Sequence, residues 1–224
     1  MSGMTGSVNS MNILNKSPYI AVEGPIGAGK TSLAKRLAAH LNAELLLENA
    51  EENPFITRFY QDPKRHALAT QLFFLFQRSG QINALQQNDL FHNAIVADFL
   101  LDKDPLFAEL NLDDDEFRLY QTIYKELQPQ APVPDLVIYL QAKPSVLLAR
   151  VHKRGIAYEN SISAQYLERL TDSYTRYFHR YEAAPLLIVN CEHFNFVDND
   201  DHFALLIKQI ANMRSPREFL NQAA

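Results

Sequence analysis

The chain has 224 residues, 21 Lys plus Arg against 26 Asp plus Glu, a formal charge of −5, and 47% apolar against 21% charged residues. That length supports one domain with a sizeable core, and the composition excludes fibrous and disordered chains. The acidic balance argues against a general nucleic-acid binder, which is usually basic. The one cysteine, Cys191, ends the run Leu186-Leu187-Ile188-Val189-Asn190-Cys191, so it reads as a small buried hydrophobe; no intramolecular disulfide can form, which fits a reducing, cytoplasmic compartment. Apolar runs stop at five residues, as in Leu72 to Phe76, far short of the roughly 20 a membrane span needs. The opening MSGMTGSVNSMN has neither a basic nor an apolar signal region, and residues 1–17 read as a flexible tail.

The first element is an apolar run over 18–23 that stops at a glycine-rich segment, and Thr31 to Leu41 then carries apolar residues at helical spacing. Further runs of strand character follow at 43–47, 94–97, 136–140 and 186–189. Helical stretches fall at about 65–89, 115–127, 145–154, 162–182 and 201–212, with prolines at 105, 129, 132, 134 and 144 marking connections. Five apolar strands separated by helices predict a parallel sheet covered on both faces, a three-layer α/β domain over 18–213 with a tail at 214–224. The acidic runs Asp113-Asp114-Asp115-Glu116 and Asp198, Asp200, Asp201 read as first-turn acids that suit a helix dipole. The seven histidines lack metal-ligand spacing.

Gly24-Pro25-Ile26-Gly27-Ala28-Gly29-Lys30-Thr31, followed by Ser32, matches G-x-x-x-x-G-K-[ST] between a buried strand and a helix start. Small residues let successive N–H groups turn toward one centre, and the helix N-terminus adds positive charge. Lys30 can then reach the terminal phosphates of a bound triphosphate, and the Thr31 hydroxyl a phosphate-bound Mg²⁺.

Such a loop says only that a nucleotide binds, so the reaction must be sought at the other strand ends. Glu48 follows Leu45-Leu46-Leu47 and Asp98 follows Ile95-Val96-Ala97, so both acids are expected to emerge beside the loop. One can take a proton from a nucleophilic hydroxyl while the other holds Mg²⁺. Gln71 and Arg78 are seven apart on a helix and share one side. That pair suits a planar base edge, and equally a solvated stripe on an amphipathic helix. Arg150 and Arg154 share a face before the helix-ending Gly155; they read either as a basic lid over the transferring phosphoryl or as cations favoured at a helix C-terminus.

The ordered segments EGPIGAGKT, LLLENAEENPF, FYQDP with TQLFFLFQR, VADFLLDKDPLFAE and RVHKRGIAYENSISAQYL resemble the deoxynucleoside kinase family over nearly the whole chain. The resemblance implies a P-loop NTPase fold with a five-stranded parallel sheet and a helical lid, ATP and Mg²⁺, a deoxynucleoside as acceptor, and a homodimer through a helical face. It casts Glu48 as the general base for the 5′-hydroxyl and Asp98 as the acid near Mg²⁺. Tyr60 and Glu159 would hold the sugar 3′-hydroxyl. Gln71, Arg78 and Asp104 would read the base, with Arg78 and Asp104 paired and Phe107 against the base. Arg150 and Arg154 would cover the ATP phosphates. The chain departs from the pattern at Phe99-Leu100, where many members carry Arg-Ser, and at Ile156, where the lid often has a third arginine.

A thymidylate-type monophosphate kinase would need cations where Phe99 and Leu100 stand, and its phosphate acceptor has no proton for Glu48 to take. A nucleotide-dependent switch module is the reading from another class. Among bases, the VADFLLDKDPLFA stretch leans to purines.

Overall fold

The computed structural model describes residues 13–15, 17–87, 93–127 and 132–221. The residues expected to form an N-terminal tail lie mostly outside these, as do Pro129 and the last three residues.

Among the described residues six strands form one parallel sheet: β1 (Tyr19–Glu23), β2 (Glu44–Leu46), β3 (Ile95–Ala97), β4 (Leu136–Gln141), β5 (Leu186–Asn190) and β6 (Arg217–Leu220), in the order β2-β3-β1-β4-β5-β6. The five expected strands are all present, and the count of five is corrected to six. Residues 217–220, placed by sequence in a tail, pair with β5 from Leu186↔Arg217 to Val189↔Leu220. Their sequence, Arg-Glu-Phe-Leu, is too short and too charged to carry a strand signature. β1, β3, β4 and β5 are almost wholly buried, which is why they read as continuous apolar runs.

Among the described residues eight α-helices surround the sheet: α1 (Lys30–Leu41), α2 (Ile56–Gln61), α3 (Pro63–Gln87), α4 (Asp104–Asn111), α5 (Asp114–Leu127), α6 (Pro144–Arg154), α7 (Ala164–His179) and α8 (Asp200–Ala211). In α1 the buried residues Leu33, Ala34, Leu37 and Ala38 form one stripe against the sheet. Ser163 caps α7 by accepting from the Tyr166 N–H at 3.1 Å, so the helix starts later than its apolar pattern suggests. The acidic run before α5 is a capping box: Asp113 Oδ1 accepts from the N–H groups of Asp115 and Glu116, and Glu116 Oε2 accepts from the Asp113 N–H. Pro105 and Pro144, read from sequence as connections, stand at the starts of α4 and α6, where a missing N–H leaves no gap.

β1 lies between β3 and β4, the point at which the strand order reverses, so the crevice beyond its carboxyl end is where an open parallel sheet binds its ligand. The loop after β1, Glu48 after β2 and Asp98 after β3 all open there.

Candidate active site

The glycine-rich turn has the backbone its sequence demands. Gly24, Gly27 and Gly29 have φ of +155°, +85° and +99°. A Cβ on Gly27 would stand 2.7 Å from the carbonyl oxygen of Leu147 in α6, and one on Gly24 2.7 Å from that of Leu140 in β4. The cradle therefore has room for backbone only, as phosphate recognition through N–H groups requires. Lys30 Nζ donates to the Gly24 carbonyl at 2.8 Å, folded back across the loop, and burial lowers its pKa.

The two acids meet as expected from their strand ends. Asp98 Oδ2 accepts from the Thr31 hydroxyl at 2.5 Å, and Asp98 Oδ1 accepts from the Glu48 backbone N–H at 2.8 Å. Burial raises the Asp98 pKa, opposed by the Thr31 hydrogen bond and by Lys30. Thr31 Oγ1 and Asp98 Oδ2 are adjacent hard oxygens, the donor type Mg²⁺ takes.

Gln71 and Arg78 are 6% and 4% exposed, which removes the solvated-stripe alternative. Arg78 pairs through Nη2 with Asp104, as the resemblance implies, and through Nη1 with Glu48, which sequence spacing does not show. Gln71 Nε2 donates to Asp104 Oδ1 at 3.0 Å, and the Tyr120 hydroxyl donates to Asp104 Oδ2 at 2.8 Å. Asp104 is fully buried and meets the cavity through Gln71 and Arg78. Burial brings the Arg78 pKa down to about 10.

A second buried network went unseen in the sequence. Glu23 ends β1, and its carboxylate accepts from the N–H groups of Gly24 and Leu100, from Lys103 Nζ and from the Tyr174 hydroxyl. Lys103 also donates to Tyr174 at 2.8 Å and stands 4.8 Å from the centre of the Phe107 ring. The one available signal was a lysine inside the apolar stretch FLLDKDPLF.

The lid side brings Arg154 and Glu159 together: Arg154 Nε and Nη2 both donate to the Glu159 carboxylate. Tyr60 stacks against Tyr158 with ring centres 6.0 Å apart. Arg150 takes a different direction from Arg154, donating through Nη2 to the Cys191 carbonyl at 2.5 Å and lying 3.7 Å from its sulfur. One helical turn separates the two arginines along α6, enough for the end of β5 to capture the first. Cys191 is buried, as its apolar run predicts.

One cavity of about 620 Å³ joins these parts, lined at one end by Gly27, Lys30 and Thr31 and farther in by Glu48, Gln71 and Arg78. Asp98, Lys103, Phe107, Tyr60, Arg154 and Glu159 also face it, and Ile156 stands where a lid arginine was missed. No helix of the described residues is long and apolar enough to cross a membrane.

A parallel sheet with a phosphate loop at its switch point and two acids at the adjoining strand ends defines a P-loop enzyme with room for a second substrate beside the nucleotide. The chain belongs to the deoxynucleoside kinase family, whose model matches residues 20–214. It is similar to the deoxyguanosine kinase of Bacillus subtilis, 32% identical over 205 residues covering 89% of this chain and 99% of the relative. It is also similar to the deoxyadenosine kinase of Lactobacillus acidophilus, 31% identical over 85% of this chain and 94% of the relative. Among solved structures, that of deoxyadenosine kinase from M. mycoides with bound dATP superposes with a TM-score of 0.74 at 27% identity, covering 86% of this chain and 98% of that one. The chain is accordingly an enzyme that phosphorylates deoxynucleosides.

Proposed function

We propose that the chain transfers the γ-phosphoryl group of ATP to the 5′-hydroxyl of a purine deoxynucleoside, yielding dNMP and ADP in nucleotide salvage. The observation that carries this reading is the position of Glu48, on the wall of the same cavity as the phosphate loop and joined to Asp98 through its own N–H. In this reading the Glu48 carboxylate accepts the 5′-hydroxyl proton as the oxygen attacks phosphorus. Tyr60 and Glu159 hold the 3′-hydroxyl, Gln71 and Arg78 read the base with Asp104 fixing their direction, and Phe107 lies against it. Residues 24–32 cradle the triphosphate, with Lys30, Arg150 and Arg154 bringing positive charge to the transferring group, Arg150 on leaving the Cys191 carbonyl that holds it in this structure. Thr31 and Asp98 would hold Mg²⁺, whose contribution when bound is to neutralise charge across the phosphates.

The purine preference is supported by relatives named as deoxyguanosine and deoxyadenosine kinases. We infer a cytoplasmic homodimer in which α3 and α5 form the contact, supported by the exposed apolar side chains Phe76 and Leu119 on those helices.

The test is coupled ADP release with ATP and Mg²⁺ against the four deoxynucleosides and dTMP, beside Glu48→Gln. Deoxyadenosine or deoxyguanosine is expected to give the highest kcat/KM, and the variant to lose about 10² to 10⁴ in kcat. Turnover of dTMP alone would point to a monophosphate kinase, and nucleotide binding with no acceptor-dependent ADP release to a switch module.

A further inference from the structure

We propose that Arg78 is a positioning residue for the Glu48 carboxylate as well as a reader of the base, so that base recognition and proton removal share one guanidinium. The inference rests on the reading of Glu48 as the general base.

The geometry is that of a strut. Arg78 Nη2 is fixed on Asp104 Oδ1 and Nη1 on Glu48 Oε1. Asp104 is in turn held by Gln71 and by the Tyr120 hydroxyl, both from helices packed behind it. The side chains of Arg78 and Asp104 are 5% and 0% exposed, whereas that of Glu48 is 25% exposed and would otherwise move freely at the cavity wall. Arg78 Nε is buried and has no hydrogen-bond partner. The two ends of the planar fork are thus committed to two acids.

Three other cations of the cavity, besides Lys35 near the phosphate loop, have partners of their own. Lys30 is on the Gly24 carbonyl, Lys103 on Glu23 and Arg154 on Glu159. Phe99, where an arginine was missed in the sequence, is buried against Ile82 and Leu101 and brings no charge to the site. Among the described residues Arg78 is the cation that forms an ion pair with Glu48. A general base must present its lone pair within hydrogen-bond reach of the proton, and a carboxylate on three rotatable bonds is held there only by a partner that is itself fixed.

The experiment is a double-mutant cycle in kcat, with ATP, Mg²⁺ and deoxyadenosine, on the full chain. Arg78→Gln is expected to lower kcat by about 10²-fold in addition to raising KM, the size of loss that follows a small misplacement of a reacting group. Arg78→Lys, which keeps the charge but cannot span both acids, should recover only part of it. Adding Arg78→Gln to Glu48→Gln should cost little further in kcat, because the two residues act as one unit. An Arg78→Gln enzyme with raised KM and unchanged kcat overturns the proposal, as does an equal loss of kcat with and without the Glu48 carboxylate. If Arg78→Gln does not melt as a folded protein, Arg78→Lys carries the same cycle. A Glu48→Gln enzyme as fast as the parent removes the general base and this inference with it, whereas a parent inactive on every deoxynucleoside removes the broader reading.

Discussion

Lys103 and Glu23 form an ion pair sealed in the floor of the cleft, Nζ standing 3.0 Å from Oε1 with side chains 4% and 0% exposed. The pair ties the last residue of β1 to the segment that follows β3, and so holds the phosphate loop in register with Asp98, Asp104 and Phe107. Two buried charges are tolerable only together. Lys103→Met leaves the Glu23 carboxylate with N–H and hydroxyl donors but no cation, and the expected cost is about 3 to 5 kcal/mol. Urea unfolding at pH 7 measures it, and a loss below about 1 kcal/mol would show that the N–H donors suffice.

The same pair gives stability a pH dependence. Burial brings the Lys103 pKa down from 10.5 to about 8. Below pH 8 the amine is protonated in both states and contributes no slope. Between pH 8 and 10.5 the unfolded chain keeps a proton that the folded one has released. The contribution of this group to the unfolding free energy therefore rises with pH through that window, by at most about 1.4 kcal/mol per pH unit. The difference in unfolding free energy between the parent and Lys103→Met, taken at successive pH values, isolates the effect; it should grow in favour of the parent from pH 8 upward, and a flat difference contradicts the assignment.

Gly27→Ala tests the phosphate cradle. Its φ of +85° and the Leu147 carbonyl 2.7 Å from the new Cβ both oppose the substitution. A non-glycine residue in this region costs on the order of 1 to 3 kcal/mol, and relief requires α6 to move away from the loop. ATP raises the melting temperature of a protein it binds, so the variant should melt lower and lose most of the shift that ATP produces. An undiminished ATP shift would separate the loop from nucleotide binding.

Thr31→Val removes the hydroxyl that donates to Asp98 at 2.5 Å while keeping the side-chain shape. A lost hydrogen bond to a carboxylate costs about 1.5 to 3 kcal/mol, a fraction of the roughly 5 to 15 kcal/mol that holds a domain together, so folding survives. The expected signature is a higher Mg²⁺ concentration for half-maximal activity at saturating ATP. An unchanged Mg²⁺ titration would take Thr31 out of the metal site.

The sheet and the loop were legible because both are local. Buried parallel strands are apolar runs, and the loop's residues sit at a fixed spacing between a strand and a helix. Glu48 and Asp98 could be placed because each directly follows such a run. The helices α2 and α4, of six and eight residues, were too short to display a period. Glu23, Lys103 and Tyr174 come from three segments of the chain, and nothing in the spacing of residues 23, 103 and 174 announces that they touch. The double engagement of Arg78 was hidden for the same reason: the pairing with Asp104 followed from a family likeness, and the one with Glu48 only from folding β2 beside α3. The different partners of Arg150 and Arg154 were decided by which neighbour each helical turn meets.

The sixth strand also determines how the sheet ends. β5 is four-fifths buried apolar residues, Leu186 to Val189, and its outer backbone groups are taken up by β6. Were residues 214–221 removed, that hydrophobic ladder would become a bare edge, the kind of template on which other chains add strands and aggregate. A shortened chain would then lose solubility while every group around the cleft stayed in place, so precipitation in such a variant would reflect an uncapped sheet margin and carry no information about chemistry.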